Sequence, residues 1–219
     1  VWNGLWTENV VVSDTYIASG PPTAYATFSV APMNAESAER LRNVIVERNH
    51  VVSLGSEAMI FAVSTGLTVR NNILQSLNST ALSLFSQSTA GTPDSTQGFI
   101  YNNTLYRPNA SVWPSSSAIA MQSRVTGQVI RNNIAYAPGS TSPTMFGSGV
   151  EGVNYTQSNN SSNAQVLSNR PWLAATPVTA ADFAPVGSYA VGAGTNVKSW
   201  TDFFGSPFPS QMPIGAVNP

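Results

Sequence analysis

Few side chains in this sequence could do chemistry. The 219 residues include nine Lys and Arg, ten Asp and Glu, a single histidine and no cysteine. Without cysteine there are no disulfides, thiolate metal sites or cysteine nucleophiles. His50 is the natural candidate for proton transfer near neutral pH, with Glu47 and Arg48 close in sequence; read more plainly, it is an exposed residue just after a turn. Hydrolysis of a glycosidic bond needs two carboxyl groups roughly 5 to 9 Å apart, and Glu8, Asp14 and Glu47 are the acids that neighbouring strands could bring together. No catalytic residue stands out beyond the weak candidates Glu47, His50 and Arg70. Arginine presents a planar donor fork to carboxylates and sulfates, and aromatic rings stack on sugars. Glu47, Arg70, Tyr101 and Arg131, with Trp113 as an aromatic platform, are therefore candidate contacts for an acidic polysaccharide.

Other chemistries find less support. Acidic residues and the histidine do not occur with ligand spacing, so neither a metal nor a cofactor is expected. Sparse, balanced charge offers no basic surface for nucleic acid. Apolar runs such as Ala58 to Val63 fall far short of the roughly 20 residues that span a bilayer, so no membrane insertion is expected. The only lysine, Lys198, reads as a solvated tail residue. Asn78, Asn103, Asn109, Asn154 and Asn160 each begin an Asn-x-Ser/Thr glycosylation sequence, in a chain rich enough in Ser, Thr and Asn for chance matches.

A repeat must position these residues. A phrase of the form apolar, x, x, Asn, then apolar recurs around Thr15, Asn49, Asn72, Asn103 and Asn133, at uneven intervals of 23 to 34 residues. Length varies between copies and not inside them, as it does when stacked coils carry variable loops. A second apolar phrase follows each first one, for example Ala58 to Val63 and Ala81 to Phe85. Alternation at Val44, Val46, Leu67 and Val69 puts those side chains on one face, with Glu47, Thr68 and Arg70 on the other. Strands with one apolar face cannot stand alone, so the coils stack and bury that face along a continuous interior. Asn suits the turn because it tolerates left-handed backbone and its amide can bond the same amide one level away. Thr15, Asn49, Asn72, Asn103 and Asn133 are thus expected to form a structural ladder. Stacking would also align an outward column of Ser13, Glu47, Arg70, Tyr101 and Arg131, which reads either as a ligand-binding face or as a solvated face where Glu47 and Arg70 neutralise each other.

Helix formers from Asn34 to Arg42 suggest a short helical or loop excursion over residues 33–43, and Ser/Gly/Pro-rich pieces near 86–97, 108–117 and 138–143 suggest peripheral loops. From about Glu151 the phrase is lost, and a Pro/Gly/aromatic tail follows. The expected fold is all-β: a single-stranded right-handed parallel β-helix with about five recognisable coils over residues 1–150, then a last irregular coil and a C-terminal cap over 151–219.

The Asn-Asn phrases, with Asp182-Phe183, Gly187-Ser188-Tyr189-Ala190-Val191-Gly192-Ala193-Gly194 and Ile214-Gly215-Ala216, resemble the C-terminal part of the pectate-lyase-like right-handed β-helix superfamily. That resemblance covers Val10 to Val217 loosely and implies a link to sugar polymers, since the superfamily includes polysaccharide lyases, glycoside hydrolases, uronan epimerases and phage tailspikes. It implies a secreted or cell-surface protein that binds, and in lyase- or glycosidase-like fashion cleaves, an acidic polysaccharide, with Val1 continuing a longer chain. The alternative is a structural rod from a tailspike, fibre or adhesin stalk, in a virion where tailspike-like. A binding protein would be a monomer and a tailspike a homotrimer.

Overall fold

The structure is a computed structural model that describes residues 6–18, 26–31, 40–54, 57–77, 79–85, 95–108, 117–121, 124–138, 144–148, 154–161, 170–187, 191–197 and 201–219. Strands occur in sets that repeat along the chain. The first three sets are β1 (Trp6–Ser13), β2 (Tyr16–Ala18) and β3 (Ala26–Val30); β4 (Arg40–Glu47), β5 (His50–Ser53) and β6 (Glu57–Phe61); and β7 (Thr65–Arg70), β8 (Ile73–Ser76) and β9 (Leu82–Leu84). Next come β10 (Ser95–Thr96), β11 (Phe99–Tyr101), β12 (Thr104–Tyr106) and β13 (Ser117–Met121), then β14 (Val125–Thr126), β15 (Gln128–Arg131), β16 (Ile134–Tyr136) and β17 (Thr144–Ser148), and finally β18 (Tyr155–Ser158).

Each of the first five sets feeds three sheets in the same order, β18 continues the first sheet, and the pairings between these strands are parallel. The first sheet runs β1-β4-β7-β11-β15-β18, with β10 and β14 beside that path; the second runs β16-β12-β8-β5-β2 and the third β17-β13-β9-β6-β3. Three stacked parallel sheets visited in turn are consistent with a parallel β-helix. Val46, Val69, Ile100 and Ile130 of the first sheet are buried, with Val51, Leu74 and Leu105 of the second and Met59, Leu82 and Ile119 of the third, in one apolar core. Here the alternation read from the sequence holds.

Register at the corner between the first two sheets is enforced by side chains. Asn49 Oδ1 accepts from the Thr15 backbone N–H at 3.1 Å, and Asn72 Oδ1 from that of Asn49 at 3.0 Å. Asn103 serves Asn72 and Asn133 serves Asn103 in the same way, at 3.0 and 2.9 Å. Each amide also donates inward, as Asn103 Nδ2 does to Val69 O at 3.0 Å and to Asn133 Oδ1 at 2.9 Å.

The structure amends the sequence expectations in three places. The phrase does not end near Glu151: β18 pairs with β15, and Asn160 Oδ1 accepts from the Asn133 N–H at 3.0 Å. This copy escapes a search by hydrophobicity because Gln157 takes the place that Ile130 holds one strand earlier. The two roles assigned to one Asn are divided between neighbours. Asp14, Arg48, Asn71, Asn102, Asn132 and Asn159 adopt φ of 50 to 58°, and the residue after each takes the ladder position. Of the excursion expected at 33–43, residues 40–43 open strand β4; residues 33–39 lie outside the described residues, as do most of the three expected loops.

Two Asn-x-Ser/Thr sequences are consumed by the ladder, since Asn103 is fully buried and Asn160 Nδ2 donates to Ile130 O at 2.8 Å. Asn78 and Asn109 lie outside the described residues.

Truncating Asn103 to Ala strands the buried Asn72 N–H and the Val69 carbonyl, at a cost on the order of 3 kcal/mol. Replacing the exposed Asn159 by Gly, which keeps the left-handed backbone and gives up one bond to Ala193 O, costs about 1 kcal/mol or less. Urea denaturation of the two variants is expected to show that difference at unchanged slope.

Candidate functional site

The outward column forms on the first sheet as the spacing predicts. Ser13 pairs with Glu47, Glu47 with Arg70, Arg70 with Tyr101, Tyr101 with Arg131, and Arg131 with Ser158. Parallel register brings these residues to one face, but they are not equally available to a ligand. Glu47 is 8% exposed and receives Arg70 Nε at 2.6 Å and Arg48 Nη1 at 2.7 Å. Arg48 also binds both oxygens of Asp14, at 2.7 and 2.8 Å. Hydrogen bonding from Arg48 holds the Asp14 carboxyl below the ordinary carboxylate range, and Asp14 in turn raises Arg48.

These contacts bear on catalysis. Asp14 and Glu47 share one guanidinium, and Glu8 is paired with Arg42. A glycosidase needs one of its two carboxyl groups to keep a proton as the acid, whereas the hydrogen bond from Arg48 favours the ionised form of Asp14. The neutralising contact expected between Glu47 and Arg70 is the one present.

Tyr101 is not an open platform. It is 6% exposed, buried with Val197 and Met212 of the tail, and Phe208 packs on the same cluster. Burial pushes its hydroxyl pKa up, partly offset by the charge of Arg131. Trp113 and Lys198 lie outside the described residues.

The tail covers this face because it runs along the flank of the sheets. The left-handed asparagines point outward and hold it by its carbonyls: Asn71 Nδ2 to Thr201 O at 2.7 Å, Asn102 Nδ2 to Pro213 O at 3.1 Å, Asn132 Nδ2 to Thr195 O at 2.7 Å, and Asn159 Nδ2 to Ala193 O at 2.8 Å. Over the second sheet, Trp172, Phe183, Ile214 and Val217 bury Ile73, Tyr106 and Ile134. Gly215 at φ +96° passes so close that a Cβ there would meet Ile134 Cδ1 at 2.7 Å, which explains the glycine in the Ile-Gly-Ala phrase.

His50 is a strand residue beneath this cover and not an exposed turn residue. It is 6% exposed, its ring meets Tyr16 and Phe183 edge to face at 5.3 and 5.9 Å, and its Nε2 lies 2.8 Å from Gln75 Nε2. Burial lowers its pKa below the ordinary 6.5, so it is neutral at pH 7, and no carboxylate is among those contacts.

Where the covered strip ends, a cleft of about 440 Å³ opens between the sheet corner and the tail, lined by Asp14, Thr15, Tyr16, Arg48, His50, Ala180, Phe203 and Phe204. Sequence analysis does not single out Tyr16 or Phe204, and it names Arg48 only as a neighbour of His50. Tyr16 could have been found by aligning the phrases, since it shares the outward position of His50 and Ile73; Phe204 had no such signal. Trp6 is 37% exposed, and the Arg42 guanidinium lies 5.0 Å from its ring centroid.

Among the described residues, no group of three His, Asp or Glu side chains could hold a metal ion, and no helix is long and apolar enough to cross a membrane. Comparison with models of protein families and with curated proteins finds no match.

The lowered pKa of His50 gives a pH dependence with a definite sign. Below about 6.5 the unfolded chain takes up a proton that the folded chain resists, so stability is fully present above that pH and is lost as pH falls through the folded pKa. Between about pH 6.5 and pH 5, before most carboxylates titrate, the urea midpoint is expected to fall, and His50→Gln is expected to flatten that slope.

Proposed function

We propose that this protein is a right-handed, pectate-lyase-like parallel β-helix at the cell exterior that binds an acidic polysaccharide along the outer face of its first sheet. One observation carries the proposal: in-register strands of that sheet bear Arg40, Arg42, Arg70 and Arg131 against Glu8 and Glu47, on a chain whose formal net charge is −1. Arg70 and Arg131 stand two strands apart on that sheet, roughly 9.6 Å, with Arg40 and Arg42 further along β4, and this spread of cations suits a polymer with one charge per sugar. Trp6, with Arg40 and Arg42 centred 5.9 and 5.0 Å from its ring, adds an aromatic surface at one end. The shared pairing of Asp14 and Glu47 favours binding over cleavage.

A structural rod, of the tailspike, fibre or adhesin kind, is the second reading. It is favoured by the burial of Glu47 and Tyr101, which withdraws the centre of the column from solvent. Homotrimers in sedimentation velocity would select it.

Retention on immobilised alginate, pectate and chondroitin sulfate tests the first reading. Binding is expected to weaken with salt and to fall about tenfold in the Arg42→Ala, Arg131→Ala double variant, an effect of about 1.4 kcal/mol, with no unsaturated product absorbing in the ultraviolet. Failure to bind all three polymers at low salt, or indifference to the double variant, rejects it.

A further inference from the structure

We infer that the cleft between the sheet corner and the tail is a second carbohydrate site, built for a neutral sugar ring. It is distinct from the arginine face and does not depend on that proposal. The first reason is the pair of rings at its edges. Tyr16 is 66% exposed and Phe204 55%, yet both are propped: Tyr16 stands edge to face on His50 at 5.3 Å, and Phe204 on Phe203 at 5.3 Å. Exposed aromatics held by perpendicular neighbours lose little freedom when a ligand stacks on them.

The loop that presents Phe204 is itself fixed. Asp202 is 2% exposed; its Oδ1 accepts from the backbone N–H groups of Phe204 and Ser206 at 2.9 and 2.8 Å, and its Oδ2 from that of Asn218 at 3.2 Å. Tyr16 is set by register on His50, which the tail buries. Both platforms are therefore positioned before any ligand arrives.

Charge decides the ligand class. Arg48 spends three of its five N–H groups on Asp14 and Glu47. Both neighbouring carboxylates remain, so a carboxylated or sulfated sugar would meet Asp14 without gaining an unshared guanidinium. Hydroxyl groups suit the site better: they can accept from the remaining Arg48 N–H groups and donate to Asp14 and to the Thr15 hydroxyl, whose own proton goes to Ser13 O, while the ring C–H faces lie on Tyr16 and Phe204. At about 440 Å³ the cleft falls within the usual range for small-molecule sites, about 300 to 1,000 Å³.

The experiment titrates the protein with cellohexaose, mannohexaose, maltohexaose and chitohexaose, and separately with an alginate hexamer, following backbone amide shifts by NMR. At least one neutral hexamer is expected to shift the amides of Thr15, Tyr16 and Phe204. Tyr16→Ala and Phe204→Ala should each weaken that binding about tenfold, as removal of one anchoring ring does, while Tyr16→Phe keeps it within about twofold. Both rings are solvent-exposed, so the alanine variants should keep the wild-type melting temperature. Absence of shifts with every neutral hexamer, affinity unchanged in both alanine variants, or occupation of the cleft by alginate alone would overturn the inference. So would self-association abolished by Tyr16→Ala, which would make the cleft an interface between copies. Loss of alginate retention through Arg42 and Arg131 bears only on the arginine face.

Discussion

The buried asparagine ladder is the constraint on which the rest of this protein depends. A parallel stack must turn a corner at every level, and each corner would leave peptide N–H and carbonyl groups in a dry place. Asn49, Asn72, Asn103 and Asn133 meet that demand with one side chain per level, accepting from the neighbouring backbone and donating back into the sheet. Their spacing is that of the strands, so the ladder and the first sheet hold each other in register. Thr15 joins the series through its backbone N–H, which Asn49 Oδ1 accepts.

Placing the ladder residue inward requires its predecessor to turn the chain, hence the left-handed backbone at Asn71, Asn102, Asn132 and Asn159. Asn bears that conformation more easily than most residues. The same turn points its amide outward, into a column of donors that meets the carbonyls of the tail. An Asn-Asn pair therefore serves two layers: the second residue holds the stack together and the first holds the tail onto it. At the two levels facing the cleft the predecessors are Asp14 and Arg48, which bind each other instead.

That exchange shapes the functional surface. Where tail and column meet, Tyr101 is covered and His50 becomes a buried neutral ring. Where the column turns ionic, the cover ends and Tyr16, Phe204 and a neutralised cluster face solvent. The arginine face and the cleft thus differ in kind: one carries excess positive charge, the other aromatic surface with balanced charge.

Much of the stack was legible in the residues. Thr15, Asn49, Asn72, Asn103 and Asn133 were readable as a ladder, and Val46 and Val69 as its interior, because turn chemistry and alternation are written within a few neighbouring positions. The Glu47, Arg70, Tyr101 and Arg131 column followed once the phrases were aligned. Asn160 was missed where Gln157 interrupts the apolar pattern, and His50 was misread because nothing near it in sequence announces the Phe183 that buries it. Local residue chemistry alone determined that this chain forms stacked parallel strands with a polar ladder at one corner. Only the tertiary structure decided where the tail lies, which rings it hides and where the cleft opens. Those contacts join residues 63, 111 and 130 positions apart, by shape and single hydrogen bonds that leave no periodic trace.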